Sequence, residues 1–431
     1  MSRWLVAGLV LLLVALSRAD SLPAGNAAAE RVSLQKVDAF SRILRDQVDA
    51  KQIGGASALV ARHGKVVYFT AAGLADPDTA RPVDRGTIFR IASMTKPITS
   101  VAAMILVEDG KLSVDDPVAR FLPEFKTSSV FVRGAEQPLR DASRPIRIRD
   151  LLTQTSGITY RFMNKPSVGD LYVRENVQDG LAESPFSLAE NCKRIAAMPL
   201  LNDPGAAWEY GLNTDVLGRV IEVASGQSLD EFMRKRILDP LKMNDTFFIV
   251  PRDQRDRLSA VYMPDAKNRN EVTKVGTDRV VQGALVWSTT YSTQDDSTYY
   301  SGGGGLCSTI GDYSRFLQML LNGGELDGAR VLKADTVARM LKDQIAPLHV
   351  TFAMHGDGFG YGVGVMTDHA DRKDGDVAPA GSVSWGGFFY TYFWADPKNN
   401  LVAVMMTQTW PNGHLKLREQ FKKAVYDAIE N

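Results

Sequence analysis

Cysteine and histidine are both scarce in this chain of 431 residues: two cysteines, Cys192 and Cys307, and five histidines, His63, His349, His355, His369 and His414. Two cysteines cannot build a disulfide framework or, alone, a zinc site. One bond between them and two buried thiols both fit the count. No Gly-x-Ser-x-Gly elbow occurs and no histidine sits in such a context, so a Ser-His-Asp triad has no support. His349 and His355 lack the i, i+4 spacing of a helical metal pair. Net charge is absent too: fifty basic residues balance fifty acidic ones. With no basic stripe interleaved with aromatics, nothing points to nucleic acid.

Long apolar runs are missing beyond the first residues. Arg3 precedes an apolar stretch from Trp4 to Leu16, and Ser17-Arg18-Ala19 places small residues before Asp20. A membrane anchor is the competing reading, but a spanning helix needs ~20 apolar residues. Residues 1–19 therefore read as a cleavable signal peptide, and the mature chain is expected to be periplasmic or secreted, off the membrane. Residues 20–31 are small and polar and read as a flexible lead-in. The whole chain is 45% hydrophobic and 23% charged, ordinary for a globular chain long enough to bury a core.

Two strand-like runs, Gly55 to Ala61 and Lys65 to Ala71, flank Arg62-His63-Gly64, a hairpin signal. A helical middle follows, with periodic stretches near Ile148, Ser187, Thr214 and Ser228. Met263 to Tyr300 has no clear period, and a loop of that length is often functional. Further strands are expected at Gly360 to Met366, Ser382 to Trp385, Phe388 to Ala395 and Leu401 to Thr407, with a helix from Leu415 to Ile429. Residues 32–92 and 301–431 thus read as one discontinuous α/β domain, and 93–300 as a mostly helical insertion with long loops.

The most informative segment is Ser93-Met94-Thr95-Lys96, after the β-like run Gly86 to Ala92 and opening a helical pattern. Residues i and i+3 share a helix face, so the serine hydroxyl and the lysine amine meet at the first turn. A serine needs its proton removed before it is a good nucleophile. A helix N-terminus favours the anion that results.

Three other segments carry functional and structural readings side by side. Leu151 to Gly157 is polar after an apolar helix, and Gly157 also suits a helix stop. Pro204 to Gly211 sets the Tyr210 hydroxyl on a turn, where the segment taken alone favours a packed tyrosine. Trp385-Gly386-Gly387 interrupts a strand with two glycines, the mark of a bulge or of close backbone approach by a ligand.

In this order the segments resemble the serine β-lactamase and penicillin-binding superfamily, with the look of class C β-lactamases and family VIII carboxylesterases. The likeness runs over nearly all of 32–430. It includes Gly303-Gly304-Gly305-Leu306-Cys307-Ser308-Thr309, Asp312-Tyr313 with Arg315-Phe316, and Asp239 to Met243. The resemblance implies an antiparallel sheet flanked by N- and C-terminal helices, with the helical domain inserted. It implies Ser93 as nucleophile, Lys96 as the residue that eases its deprotonation, and Tyr210 as shared general base and proton shuttle. It implies an oxyanion hole from the backbone amides of Ser93 and Phe388, substrate contacts at Gln154, Asn213, Trp385, Gly386 and Gly387, and no metal or cofactor.

Two departures bear on substrate. Trp385 stands where class C β-lactamases have the lysine of Lys-Thr-Gly, which removes a charge-assisted hydrogen bond of about 1.5–3 kcal/mol to a substrate carboxylate. Tyr210-Gly211-Leu212 replaces Tyr-x-Asn, with Asn213 one position later. Trp208, Phe388, Phe389 and Tyr390 are expected as apolar walls. The expected function is an exported serine esterase forming an acyl-enzyme, with small ester or β-lactam-like substrates. A β-lactamase or D-alanyl-D-alanine carboxypeptidase is the alternative, and a non-catalytic wall-peptide binder the second.

Overall fold

The structure is a computed structural model that describes residues 21–163, 168–351, 358–366 and 377–430. The signal-peptide reading of 1–19 lies outside these residues, as do His355 and His369.

Eight strands form one antiparallel sheet: β1 (Gly55–Arg62), β2 (Lys65–Asp76), β3 (Arg81–Pro82), β4 (Gly358–Phe359), β5 (Val365–Met366), β6 (Val383–Gly386), β7 (Tyr392–Asp396) and β8 (Leu401–Thr407), in the order β4-β5-β6-β7-β8-β1-β2-β3. The two ends of the chain meet where β1 pairs with β8, from Ala56 opposite Thr407 to Arg62 opposite Leu401. The β1–β2 turn is His63-Gly64, both at positive φ (52° and 77°), as a two-residue hairpin with right-twisted strands demands.

Both faces of the sheet are covered, so its central strands are buried throughout. Side chains alternate between two cores with period two. Ala56, Ala58, Val60, Trp394 and Met405 pack under α1 (Ala39–Asp49) and α5 (Leu417–Ala428), where the rings of Phe40 and Phe421 lie 4.7 Å apart. Leu59, Ala61, Phe393, Val404 and Met406 join the larger core on the opposite face. Between the sheet and the helical body lies α2 (Thr95–Glu108), buried on every side from Thr95 to Leu106, as an all-round apolar helix must be. It stops at Gly110, φ +70°, with the Lys111 amide bonded back to the Leu106 carbonyl. Helix α3 (Asn213–Ser225) packs across it, and α4 (Ile310–Leu321) lies against β1, β7 and β8.

Several expectations need correction. The lead-in is not loose over its described part: the Gly25 amide donates to the Val66 carbonyl, the Val66 amide to Pro23, and Leu22 is buried. Small residues are required there, since a Cβ on Gly25 would stand 2.8 Å from the Lys65 Cβ. Glu30 pins the segment, its carboxylate 2.7 Å from both His63 Nδ1 and Lys65 Nζ. Of the strand expected over Gly360 to Met366 only Val365–Met366 forms, with a separate piece at Gly358–Phe359 before it, because Gly362 and Gly364 adopt φ of +67° and +131°. The strand expected from Phe388 begins at Tyr392, after a turn in which Tyr390 has φ +73°. Met263 to Tyr300 is not featureless: it contains the hairpin Val280–Gln282 with Leu285–Trp287. Cys192 and Cys307 are both free and buried.

Buried carboxylates give the fold a testable pH dependence. Asp312, in the first turn of α4, accepts hydrogen bonds from the Asp245 amide (2.8 Å) and the Thr246 hydroxyl (2.9 Å), yet burial pushes it up from 3.8 to about 7. Between those values the native chain keeps a proton that the unfolded chain has lost. That stabilisation is complete below the unfolded value and fades as pH rises toward 7. Asp312→Asn, which cannot titrate, is expected to gain stability relative to wild type between pH 5 and 7.5, by at most ~1.4 kcal/mol per pH unit. Urea unfolding at the two pH values measures this; parallel curves for the two proteins would refute it.

Candidate active site

Ser93 stands on a 3-10 turn, Ala92–Met94, immediately before α2, rather than on the helix itself. The β-like run before it contracts to Phe89–Arg90, paired with Cys307–Ser308. Ala92 has φ +43°, unusual for a residue with a Cβ. It is held there by the buried cluster of Trp287, Tyr291 and Phe389. Lys96, the second residue of α2, is buried at 2% exposure.

Three acceptors surround the Lys96 Nζ: Ser93 Oγ at 3.3 Å, the Tyr160 hydroxyl at 3.1 Å and the Gly303 carbonyl at 2.7 Å. A carbonyl only accepts, and an ammonium has three N–H groups to give. In this cage the Gly303 carbonyl therefore takes one N–H of Lys96, and the two hydroxyls lie within reach of the same nitrogen. The Tyr210 hydroxyl lies 2.6 Å from Ser93 Oγ, and Nζ sits 4.7 Å from the centre of the Tyr210 ring. A cation beside the serine oxygen and 4.7 Å from the tyrosine ring favours negative charge on either side chain. Ser93, Lys96 and Tyr210 are thus brought into one contact, with the tyrosine placed to take the serine proton.

Tyr160 was not singled out by the sequence. It lies three residues beyond Gly157, just past the polar stretch that ends there, and nothing in its spacing announces the contact. Burial raises its hydroxyl well above the ordinary tyrosine range, so it stays a neutral phenol that receives the Lys96 proton donor.

Gln154 and Asn213 do not line the cleft. Gln154 is buried at φ +58°; its Oε1 accepts from the Gly211 amide (3.1 Å) and Asn213 Nδ2 (2.9 Å). Asn213 Oδ1 accepts from the Ser156 hydroxyl at 2.5 Å. Both lie behind the Tyr210 turn and fix its backbone, so the expectation of substrate contact is corrected to one of support.

Trp385, Gly386, Gly387 and Phe388 all line the cleft with Ser93 and Tyr210. Trp385 packs edge-on against Tyr210 (5.5 Å) and Phe359 (5.7 Å). A Cβ on Gly387 would stand 2.4 Å from the Ile91 carbonyl and 2.1 Å from the Thr391 hydroxyl. Glycine is what allows the end of β6 to touch the chain just before Ser93. In this turn the Gly387 amide donates to the Thr391 carbonyl and the Tyr390 amide to the Gly387 carbonyl, while among the described groups none accepts from the Phe388 amide. Of the other expected walls, Phe389 is buried against Trp287, Tyr390 bonds the Leu415 carbonyl in the opposite core, and Trp208 stacks behind Tyr210.

The cleft encloses about 370 Å³. Phe162, Met163, Leu181, Leu285, Phe388 and Trp410 give it an apolar wall, with Asp179, Asn412 and Arg418 as its polar margin. Leu285 belongs to the 280–287 hairpin, which makes that segment part of the wall. Among the described residues no group of three or more His, Cys, Asp or Glu side chains is placed to hold a metal. The arrangement can bind an uncharged acyl group beside a serine whose proton has a ready acceptor.

The Beta-lactamase family profile matches residues 40–426. The chain is similar to Esterase EstB of Burkholderia gladioli, 34% identical over 375 residues, covering 86% of this chain and 88% of that protein. Its structure is similar to that of EstCE1, described as a hydrolase with promiscuous acyltransferase activity: TM-score 0.78, 28% identity, 93% of this chain and 100% of the other. It is also similar to unliganded simvastatin synthase (LovD) from Aspergillus terreus: TM-score 0.76, 25% identity, 91% and 98% coverage.

Gly303 offers a direct test of the cage. A Cβ there would stand 2.4 Å from Asp215 Oδ2 and 3.3 Å from the Tyr160 hydroxyl. Gly303→Ala is expected to displace the Lys96 acceptors and slow fluorophosphonate labelling of Ser93 by ~10-fold or more, as misplacement near reacting groups does. Labelling at the wild-type rate in a folded variant would show that the cage tolerates the shift.

Proposed function

The chain belongs to the Beta-lactamase family, and from that premise we propose that it is a serine hydrolase that forms an acyl-enzyme on Ser93 and acts on carboxylic esters. The observation that carries the proposal is the 2.6 Å contact of the Tyr210 hydroxyl with Ser93 Oγ beside a caged Lys96. The relatives named as esterase, hydrolase and acyl-transferring synthase support the choice of ester chemistry.

In the proposed reaction Tyr210, as phenolate, takes the Ser93 proton while Oγ attacks the acyl carbon. The Lys96 ammonium offsets the charge this requires. The carbonyl oxygen becomes anionic and is received by the Ser93 and Phe388 amides, each worth roughly 3 kcal/mol to a transition state. The ester C–O bond breaks as Tyr210 returns the proton to the departing alkoxide. Water then attacks the acyl-serine by the reverse proton path and releases the acid; an alcohol in its place gives acyl transfer. Trp385 in place of a cation weakens any claim of carboxylate-bearing β-lactams, by ~10- to 100-fold in affinity for a lost charge-assisted hydrogen bond. The same proposal puts the mature chain outside the cytoplasm, on the strength of residues 1–19 alone.

A nitrophenyl butyrate assay decides the matter. Wild type is expected to show burst release of nitrophenol, with nitrocefin turned over far more slowly. Ser93→Ala should abolish the burst. Tyr210→Phe should lower kcat by ~10²- to 10⁴-fold, the usual range for a lost general base. Unchanged turnover in Ser93→Ala would sink the mechanism, and nitrocefin turnover matching the ester would reverse the substrate assignment. Mass spectrometry of protein recovered outside the cytoplasm should find Asp20 at its N-terminus; retention of residues 1–19 would refute cleavage.

A further inference from the structure

Two charged side chains line the cleft, Asp179 and Arg418, and the first is already paired: Arg161 Nε stands 2.9 Å from its Oδ2. The second is not. Arg418 lies in the first turn of α5, and among the described residues no carboxylate comes within ion-pair distance of it. Glu419, the next residue, is exposed and forms no ion pair with it.

Arg418 is held by carbonyls and rings instead. Its Nη2 donates to the Thr391 carbonyl at 3.2 Å and makes a longer contact with the Gly387 carbonyl at 3.5 Å. The guanidinium carbon lies 4.3 Å from the centre of the Tyr390 ring and 5.4 Å from that of Tyr392. Tyr390 is itself fixed, its hydroxyl donating to the Leu415 carbonyl at 2.8 Å. A guanidinium has five N–H groups to give. Those of Nη1 have no acceptor among the described residues, and Nε is closed off from solvent without one.

Gly386 makes room for the group. A Cβ there would stand 2.9 Å from Arg418 Nη2 and 3.1 Å from its Cζ. Successive residues of a strand face opposite ways. The Trp385 ring therefore packs on Tyr210 while the guanidinium takes the other side of the end of β6. Asn412, the remaining polar residue of this margin, gives its Nδ2 to the Phe388 and Thr409 carbonyls at 2.9 and 3.0 Å. Arg418 is left as the one unpaired charge among the described residues of the cleft.

A guanidinium stays charged at every working pH, and a desolvated charge without a counter-ion is unfavourable. An anion entering the cleft relieves this, and the rings hold the cation in place before it arrives. With an acyl chain along the apolar wall, the alcohol portion of an ester is the part left to meet the polar margin. We propose that Arg418 is a specificity residue that binds a carboxylate on the alcohol portion of the substrate, so that the preferred esters are those of hydroxy acids. This rests on the reading of the chain as an esterase acting through Ser93.

The test compares 3- and 4-butyryloxybenzoate with their methyl esters at pH 8, on the full chain. Each kcat/KM is divided by the rate of the same ester with hydroxide, which removes differences between leaving groups. Wild type should favour the free acid of at least one pair by ~10-fold or more, as one charge-assisted hydrogen bond does. Arg418→Gln should bring that ratio to about 1, through KM more than kcat. A wild-type ratio near 1 in both pairs overturns the proposal, as does a ratio that survives in Arg418→Gln. An Arg418-dependent preference for nitrophenyl hemiglutarate over nitrophenyl butyrate, without one for the butyryloxybenzoates, would put the anion on the acyl side and overturn it too. If Arg418→Gln does not fold, Gly386→Ala, which displaces the guanidinium and keeps its charge, should lower the ratio; the wild-type ratio in that variant overturns the proposal. Ester turnover and fluorophosphonate labelling of Ser93 with a ratio near 1 remove only the role of Arg418. Loss of both turnover and labelling in wild type removes the esterase reading and this proposal with it.

Discussion

One buried cation organises this molecule. Lys96 is 2% exposed, and an ammonium taken out of water costs several kcal/mol unless its protons are all received. Its three acceptors come from separate parts of the chain, Tyr160 lying 64 residues away and Gly303 207 residues away. Each segment must arrive with its oxygen aimed inward, or the cost falls due. The Gly302-Gly303 backbone can do so because it carries no Cβ: at Gly302 one would stand 2.6 Å from the Thr214 carbonyl. The backbone runs pressed between α2 and α3, and Thr99 ties it down by donating to the Gly302 carbonyl at 2.7 Å.

The sheet supplies the other half of the site by the same means. Gly387 lets the end of β6 close on Ile91, and the Thr391 hydroxyl donates to the Ile91 carbonyl at 3.3 Å. Ser93 is thereby set between a strand end and a helix start, each fixed by backbone contact. Underneath, Trp287 meets Phe388 at 6.1 Å and Phe389 at 5.5 Å and shares a cluster with Ala92. A segment that reads as a long polar loop thus anchors both the nucleophile turn and the turn carrying the Phe388 amide. Rigidity of that kind is what preorganised donors require.

What was legible in the sequence was local. Ser93 and Lys96 announce themselves by i, i+3 spacing, and His63-Gly64 by the φ values a two-residue turn needs. The alternation of β7 and β8 between two cores was less visible, because both faces are apolar and the runs read as continuous. Tyr160 was missed because its partner is 64 residues away and no periodicity links them. The family resemblance implies Gln154 and Asn213 as substrate contacts, but motif position does not say where a side chain points; the structure spends them on the backbone behind Tyr210. Residues 21–31 read as loose because their order comes from edge pairing with Val66, a tertiary contact invisible in composition.

Trp385 shows how substrate choice and catalysis share one residue. In place of a cation it brings a ring that packs on Tyr210 at 5.5 Å and on Phe359 at 5.7 Å. A second cation beside Tyr210 would compete with Lys96 for the same charge, whereas an indole excludes water from that side. Excluding water lowers the local dielectric and strengthens the hold of Lys96 on the oxygens of Ser93 and Tyr210. The apolar wall of Phe162, Leu181, Leu285 and Phe388 continues that dry surface away from the serine. An uncharged acyl chain laid along it would complete the desolvation.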